Sequence, residues 1–130
     1  MKTLLLVDDE VCITESMKEL LEDGSFHIIT ANNGSTALQI LQTMRVDCVV
    51  SDIKMPVMDG LTFMQKTREQ GFITPFIFYS GHACEKLEKV TRDLGAIGLL
   101  TKPEFERLEK IIHSVIRQQA PALSEFTDHL

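Results

Sequence analysis

Short apolar segments alternate with longer amphipathic segments along the whole chain. The apolar segments predict β-strands near residues 3–7, 26–30, 48–52, 75–79 and 97–101. The amphipathic segments predict α-helices near residues 11–22, 34–44, 61–70, 84–94 and 104–119. Regular alternation of strands and helices is typical of an α/β domain built on a parallel sheet.

The two central apolar segments, residues 48–50 and 76–78, carry no polar residue. A strand with one face in water alternates polar and apolar residues, so helices are expected on both faces of this sheet. Right-handed crossovers then wind five strand-helix units into one open sheet. The helical period ends after Pro121, so we interpret residues 1–120 as one domain and residues 121–130 as a C-terminal tail or the start of a linker.

The composition of the chain limits which classes of protein it can belong to. The chain has 130 residues, the size of a single domain, and a formal net charge of -6, which disfavours direct binding to nucleic acid. Its apolar runs are far shorter than the roughly 18 residues of a membrane-spanning helix. Its three cysteines lack metal-ligand spacing, which favours reduced thiols. We therefore expect a cytoplasmic protein that contacts neither nucleic acid nor a membrane.

Polar residues stand where the predicted strands end. The acids Asp8 and Asp9 follow the first strand, and Asp52 ends the third. The fourth and fifth strands are followed by Ser80 and Lys102. In an open α/β sheet, ligands bind beyond the carboxyl ends of the strands, where the strand order reverses. Because burying an unpaired carboxylate is costly, these acids indicate a cationic or reactive partner.

These residue types favour magnesium and phosphate chemistry. Clustered carboxylates repel one another by roughly 4 kcal/mol for each close pair at an effective dielectric near 20. Mg²⁺ prefers oxygen ligands and removes this repulsion. A carboxylate can attack a metal-polarised phosphoryl group in line, while Ser80 donates a hydrogen bond and Lys102 balances charge. The product would be an acyl phosphate.

The order and context of these residues resemble the CheY-like receiver domain of two-component response regulators. The motifs that carry the resemblance are Val7-Asp8-Asp9-Glu10, the run from Ser51 to Gly60, Tyr79-Ser80-Gly81, Gly95-Ala96 and Leu100-Thr101-Lys102-Pro103. The resemblance implies a flavodoxin-like, doubly wound, five-stranded parallel sheet of order 2-1-3-4-5 with helices on both faces. It also suggests a cis peptide bond before Pro103.

The resemblance implies a role for each site residue. Asp52 would be the phosphoacceptor, Asp9 a direct Mg²⁺ ligand and Asp8 a ligand through water. The Asp52 carboxylate and the main-chain carbonyl of Lys54 would complete the protein's share of the metal shell. The serine and the lysine at the ends of strands 4 and 5 would contact the phosphoryl group.

By this resemblance, the chain is expected to act as a phosphoacceptor switch. It would take a phosphoryl group from a histidine kinase or a phosphotransfer protein and then signal to a downstream protein target. It would do so as a monomer or as a phosphorylation-dependent dimer. Because it would phosphorylate and dephosphorylate only itself, we do not expect a dedicated enzyme with a separate substrate.

Three positions are expected to modulate the site. Members of the family commonly carry an aromatic residue three positions before the final lysine, but this chain has Leu99, which cannot swing a polar tip between buried and exposed states. His82 follows Ser80 by two residues and is expected at the rim of the site. Lys54 follows Asp52 by two residues, and we hypothesise that it shields the phosphoryl group and lengthens its lifetime.

Other interpretations stay open at this point. The chain could be the receiver portion of a longer transcriptional or effector regulator, or a phosphate-independent binding module. A Mg²⁺-dependent aspartyl phosphohydrolase fits less well, because that class places a D-x-D motif at strand 1, whereas Asp8 and Asp9 are adjacent. These two acids could also merely cap the first helix. Asp59-Gly60 predicts a turn and a helix start, with a positive φ at Gly60.

Overall fold

Five strands and five helices alternate through residues 1–118, the part of the chain that the computed structural model describes. The strands are β1 (Lys2–Val7), β2 (Phe26–Ala31), β3 (Cys48–Ser51), β4 (Phe76–Ser80) and β5 (Gly98–Thr101). The helices are α1 (Val11–Leu21), α2 (Gly34–Thr43), α3 (Gly60–Glu69), α4 (Glu85–Asp93) and α5 (Phe105–Gln118). All ten predicted elements are present.

The sheet is entirely parallel, and its strand order is β2-β1-β3-β4-β5. This confirms the predicted flavodoxin-like, CheY-like fold. The strand order reverses beside β1, which pairs with both β2 and β3. Val7 and Ser51 are partners in the register of β1 and β3. Asp8 and Asp52, the residues that follow them, therefore leave the sheet side by side.

Helices cover both faces of the sheet, as the apolar central strands predict. One core layer, on the side of α1 and α5, includes Leu4, Leu6, Met17, Ile77, Leu108 and Ile112. The opposite layer, on the side of α2 and α3, includes Leu5, Val7, Leu38, Phe63, Phe76 and Phe78. Because successive strand residues point to opposite faces, a slip of one residue in register would exchange the two layers.

A buried carboxylate stands at the amino edge of the sheet, just before β3. Asp47 accepts the N–H of Thr3 at 2.8 Å and the Nε–H of Arg45 at 3.3 Å, and it lies 4.0 Å from the ammonium of Lys2. Burial, and then the nearby charge of Asp47, raises the pKa of the Cys48 thiol to about 12. The thiol is therefore uncharged at neutral pH and packs as a small apolar group.

The predicted boundary at residue 120 and the tail of residues 121–130 lie outside the described residues. The strand ends shift slightly from those predicted: Asp52 comes one residue after β3, and Ser80 is the last residue of β4. Helix α5 spans 14 residues and buries one apolar face. Within residues 1–118, the helices lack the combination of length and apolar character that a membrane span requires.

Candidate functional site

Three carboxylates converge beyond the ends of β1 and β3. Asp8, Asp9 and Asp52 each offer a carboxylate oxygen, and these oxygens lie within 4.8 Å of one another. Asp8 and Asp52 are 4% and 9% exposed, whereas Asp9 is exposed to solvent. Clustered carboxylate oxygens are the ligands that Mg²⁺ prefers, so the residues present fit such an ion.

Lys102 provides a positive charge beside these acids. Its Nζ lies 2.6 Å from Asp8 Oδ2 and 3.1 Å from Asp52 Oδ2. Burial by itself would lower the pKa of Lys102, but the hydrogen bonds and charges of the two acids outweigh burial, and the pKa is raised. The ammonium therefore stays charged at neutral pH. Since the cluster contains three carboxylates and Lys102 contacts two of them, the cluster keeps a surplus of negative charge that a divalent cation would offset.

The backbone around β3 fixes Asp52 in place. Its N–H donates to the Val7 carbonyl at 2.9 Å, and its carbonyl accepts the Ser51 hydroxyl at 2.7 Å. Oδ1 of its carboxylate accepts the N–H of Ile53 at 2.7 Å, while Oδ2 faces Lys102. Partners on both oxygens restrict rotation of the carboxylate, so the group is pre-organised for reaction.

Gly60 packs directly on the main chain of Asp52. A Cβ atom at Gly60 would lie 2.1 Å from the Asp52 carbonyl oxygen, which leaves no room for a side chain. Gly60 N–H donates to the Ile53 carbonyl at 2.8 Å, and Asp59 caps α3 by accepting the N–H of Thr62 at 2.8 Å. The predicted turn and helix start are confirmed. The predicted positive φ at Gly60 is wrong, because glycine is needed here for close approach instead.

Ser80 ends β4 at the same edge of the sheet. Its carbonyl accepts the N–H of Lys102 at 2.8 Å, because β4 and β5 are paired. The side chain of Ser80 is buried, and its hydroxyl oxygen accepts the N–H of His82 at 3.1 Å. Accepting this bond leaves the hydroxyl proton able to donate to a bound oxyanion. His82 itself is exposed beyond the strand end.

Leu99 and Lys54 differ in their surroundings. Leu99 lies in β5, is half-buried, and packs against the core layer on the side of α2, α3 and α4. Lys54 lies in the β3–α3 loop and is exposed. The modulatory roles of Leu99, Lys54 and His82 stay predictions. The peptide bond between Lys102 and Pro103 is cis, as the resemblance suggests.

The interpretation of Asp8 and Asp9 as helix caps is wrong. The N-cap residue of α1 is Glu10, and its side chain makes no capping hydrogen bond within the described part of the chain. Asp8 instead accepts the N–H of Glu10 through Oδ1 at 3.0 Å and the ammonium of Lys102 through Oδ2. Asp8 and Asp9 therefore belong to the carboxylate cluster rather than to the cap of α1.

The β3–α3 loop contains a strained residue. Val57 has a φ of 70°, a region that β-branched residues rarely adopt. The N–H of Met58 donates to the Pro56 carbonyl at 2.7 Å, which makes Val57 the centre of a γ-turn. A γ-turn with positive φ is the rarer and strained form. Such a conformation costs about 1–3 kcal/mol and persists where the surrounding structure enforces it.

Ser51 and Gly60 support Asp52, and Val57 adopts a positive φ in the following loop, in ways that the sequence did not predict. A serine in an otherwise apolar strand is a usable signal, because a buried hydroxyl needs a hydrogen-bond partner. The close approach of Gly60 depends on how α3 packs beside Asp52, which is a tertiary property. The positive φ of Val57 has no signal in the residue type, since glycine or asparagine is the usual indicator.

Residues 4–113 match the family model of the response regulator receiver domain. The chain is 32% identical over 120 residues to the transcriptional regulatory protein FixJ of Bradyrhizobium diazoefficiens, covering 92% of this chain and 58% of that protein. It is 37% identical over 125 residues to the response regulator Rre1 of Synechocystis, covering 91% of this chain and 53% of that protein. The chain thus spans little more than half the length of these relatives.

Solved structures share the fold. The receiver domain of the Francisella response regulator 1452 has a TM-score of 0.85 and 25% identity, covering 92% of this chain and 99% of that one. The chemotaxis protein CheY4 of Vibrio cholerae has a TM-score of 0.81 and 32% identity, covering 88% and 98%. The sheet and its acidic crevice define a signalling module of two-component systems. The chain belongs to the response regulator receiver domain family.

Proposed function

We propose that this receiver domain is a Mg²⁺-dependent phosphoacceptor switch in which Asp52 takes a phosphoryl group from a phosphohistidine. The observation that carries the proposal is the surplus of carboxylates around Lys102 at one edge of the sheet. The donor is a histidine kinase or a phosphotransfer protein, and the phosphorylated form signals to a downstream protein target. The switch works in the cytoplasm, as a monomer or as a phosphorylation-dependent dimer.

Oxygen donors at the crevice would hold the metal ion. They are the carboxylates of Asp8, Asp9 and Asp52 and the main-chain carbonyl of Lys54. When bound, Mg²⁺ polarises the phosphoryl group and offsets the repulsion among the acids. The exposed Asp9 would bind directly, whereas Asp8, already engaged by Lys102, would bind through water.

Asp52 is the nucleophile in this mechanism. One of its carboxylate oxygens bonds to phosphorus in line as the bond from phosphorus to the imidazole nitrogen breaks, and the electron pair of that bond stays on nitrogen. Ser80 donates a hydrogen bond to one phosphoryl oxygen, and Lys102 neutralises charge on another. Hydrolysis of the acyl phosphate regenerates Asp52. The chain is therefore a signalling protein that modifies itself rather than a dedicated enzyme.

Phosphorylation would alter the surface near the end of β4. The phosphoryl group adds a charge of about -1.5 to -2 at neutral pH, which competes for Lys102 and for the hydroxyl of Ser80. Because the hydroxyl of Ser80 accepts the N–H of His82, movement of Ser80 would displace the loop of residues 81–83. With Leu99 in place of an aromatic residue, this loop displacement would carry the signal.

Incubation with acetyl phosphate and Mg²⁺ tests the proposed function. The wild-type protein is expected to gain one hydroxylamine-sensitive phosphoryl group, detected by intact-protein mass spectrometry, and chelation of Mg²⁺ should prevent it. Asp52→Ala should abolish labelling, whereas Asp59→Ala is the matched control, because Asp59 caps α3 and is not a member of the carboxylate cluster. Labelling that survives Asp52→Ala would contradict the proposal. Rapid multiple turnover of small phosphate esters would instead favour the aspartyl phosphohydrolase.

The second candidate is the receiver portion of a longer transcriptional regulator. It is favoured by the similarity to transcriptional regulatory proteins, of which FixJ is covered over 58% of its length. Phosphorylation would then control an attached output domain rather than a separate target. Sequencing the messenger RNA beyond the codon for Leu130 distinguishes the two: an in-frame helix-turn-helix supports the longer regulator, and a stop codon refutes it.

Lys54 is proposed to prolong the phosphorylated state. Its exposed side chain follows Asp52 by two residues and could pair with the phosphoryl group. Lys54→Ala is expected to speed autodephosphorylation a few-fold, because a solvent-exposed ion pair contributes under about 1 kcal/mol. Loss of labelled protein after removal of the donor measures the rate. The exposed Lys66 of α3 provides the control variant Lys66→Ala, and equal rates for wild type and Lys54→Ala would refute the idea.

A further inference from the structure

Large apolar side chains are exposed at the amino edge of the sheet, opposite the carboxylate cluster. Within residues 1–118, this edge carries most of them: Met1 before β1, Leu20 at the end of α1, Met44 after α2, Ile73 before β4 and Ile97 before β5. Ile73 is 89% exposed, although isoleucine is among the residues most often buried. Exposed apolar side chains are ordinary when they are scattered, but a group of them marks an interaction site.

The amino-edge groove lies between the end of α2 and the loop before β4. It has a volume of about 380 Å³, and its walls are formed mainly by residues 44–47 and 71–75. Hydrogen bonds hold the second wall, because the N–H of Phe72 donates to the Thr67 carbonyl at 3.1 Å and the Phe72 carbonyl accepts Nη1–H of Arg68 at 3.1 Å. The groove is therefore formed before anything binds to it.

The exposed charge at this groove is positive. Arg45 forms part of the wall, and its side chain is 80% exposed. Asp47, the acid in the wall, is buried and lies beside two cations, Arg45 and Lys2. Arg68, bonded to the Phe72 carbonyl, adds a further cation nearby. An apolar groove with a cationic rim fits a partner that is both apolar and acidic.

The chain leaves α5 at the same edge of the sheet. Helix α5 starts just beyond the carboxyl end of β5, so it runs back toward the amino edge. Near its end, the ring of His113 packs against Phe26, the first residue of β2, with 5.5 Å between the ring centroids. Helix layers on the two faces of a sheet are roughly 20 Å apart, and eight extended residues span up to roughly 28 Å. The residues that follow α5 are therefore long enough to reach the groove.

Residues 119–130, which lie outside the described residues, have the composition that the groove requires. They contain no lysine or arginine. Their large apolar residues and their acids are Leu123, Phe126, Leu130, Glu125 and Asp128. A tethered segment is present at an effective concentration in the millimolar range, so a small groove is enough to bind it. A second copy of the chain would need roughly 800 Å² of surface on each partner for a stable dimer.

We propose that residues 119–130 bind back into the amino-edge groove, with Phe126 against Ile73 and Glu125 beside Arg45. The apolar side chains of the segment cover those exposed in the groove, and its acids balance the cations at the rim. The bound segment leaves the domain beside α2 and α3 rather than beside α5. The contact requires no phosphorylation of Asp52, which lies at the opposite edge of the sheet.

A double-mutant cycle on the 130-residue chain tests the proposed pair. Phe126→Ala should lower the thermal unfolding midpoint by about 3 °C, because it removes an aromatic contact. In the Ile73→Ala background, the same change should have less than half of that effect. Leu20→Ala provides the matched control background, since Leu20 is 64% exposed at the end of α1, on the other face of the sheet. There, the effect of Phe126→Ala should be undiminished.

Nuclear Overhauser contacts between the Phe126 ring and the Ile73 methyl groups provide the direct observation, and they should persist on dilution. Equal effects of Phe126→Ala in the wild-type and Ile73→Ala backgrounds would overturn the proposal. Coupling of Phe126 to Leu20 instead would also overturn it, because the segment would then pack on the other face. Contacts found only between differently labelled copies would assign the groove to a second copy, and the absence of any contact would leave it to a separate protein; either result refutes the proposal.

Discussion

Buried carboxylates occur at both edges of the sheet, but their charges are balanced differently. At the amino edge, Asp47 is surrounded by a backbone N–H and by the side chains of Arg45 and Lys2. At the carboxyl edge, the ammonium of Lys102 contacts Asp8 and Asp52, and Asp9 adds a third carboxylate to the same cluster. The same chemical group is thus neutralised by the fold at one edge and left in surplus at the other. Negative charge that the fold leaves unbalanced is expected at a site where a bound ligand supplies the balancing charge.

The largest effect is expected from Asp47→Ala at the amino edge. Removing this carboxylate leaves the buried N–H of Thr3 without its acceptor and separates two cations from their partner. We expect the free energy of unfolding to fall by about 2–3 kcal/mol. Urea denaturation measures the change, with the exposed Asp93 of α4 as the control variant Asp93→Ala. A loss no greater than that of the control would contradict a structural role for Asp47.

Lys102→Met should have a somewhat smaller effect, and one that depends on Mg²⁺. Without the ammonium, the carboxylates of Asp8 and Asp52 face each other uncompensated. We expect a loss of about 2 kcal/mol in the absence of Mg²⁺, reduced from that of a fully buried pair because Lys102 is partly exposed. Added Mg²⁺ should recover part of the loss. Lys86→Met, an exposed position on α4, is the control and should lose little in either condition.

Asp52→Asn should change stability in the opposite direction from Asp47→Ala. Removing one charge relieves repulsion from Asp8 and Asp9, while Lys102 keeps its 2.6 Å contact with Asp8. We expect a gain of about 1 kcal/mol in the free energy of unfolding without Mg²⁺, and a smaller gain with it. Urea denaturation with and without chelator provides the measurement. A clear loss of stability would show instead that Asp52, like Asp47, stabilises the fold.

The fold follows from features that are local in the sequence. The apolar run Phe76-Ile77-Phe78 predicts a strand buried on both faces, and the structure confirms it. The convergence of Asp8, Asp9 and Asp52 was also predictable, because the acids follow paired strands. What the residue types could not predict depends on tertiary packing. The close approach of Gly60 to the Asp52 carbonyl exists only once α3 is in place, and a valine gives no indication of the positive φ at Val57.

The most direct test of the difference between the two edges is the dependence of stability on Mg²⁺. If the surplus of carboxylates is a metal site, Mg²⁺ should raise the unfolding midpoint of the wild type in a saturable manner. Asp9→Asn, which removes an exposed member of the cluster, should abolish that rise. Asp47→Asn should lower the midpoint but keep the rise. A midpoint that does not respond to Mg²⁺, or one that rises equally in Asp9→Asn, would contradict the account.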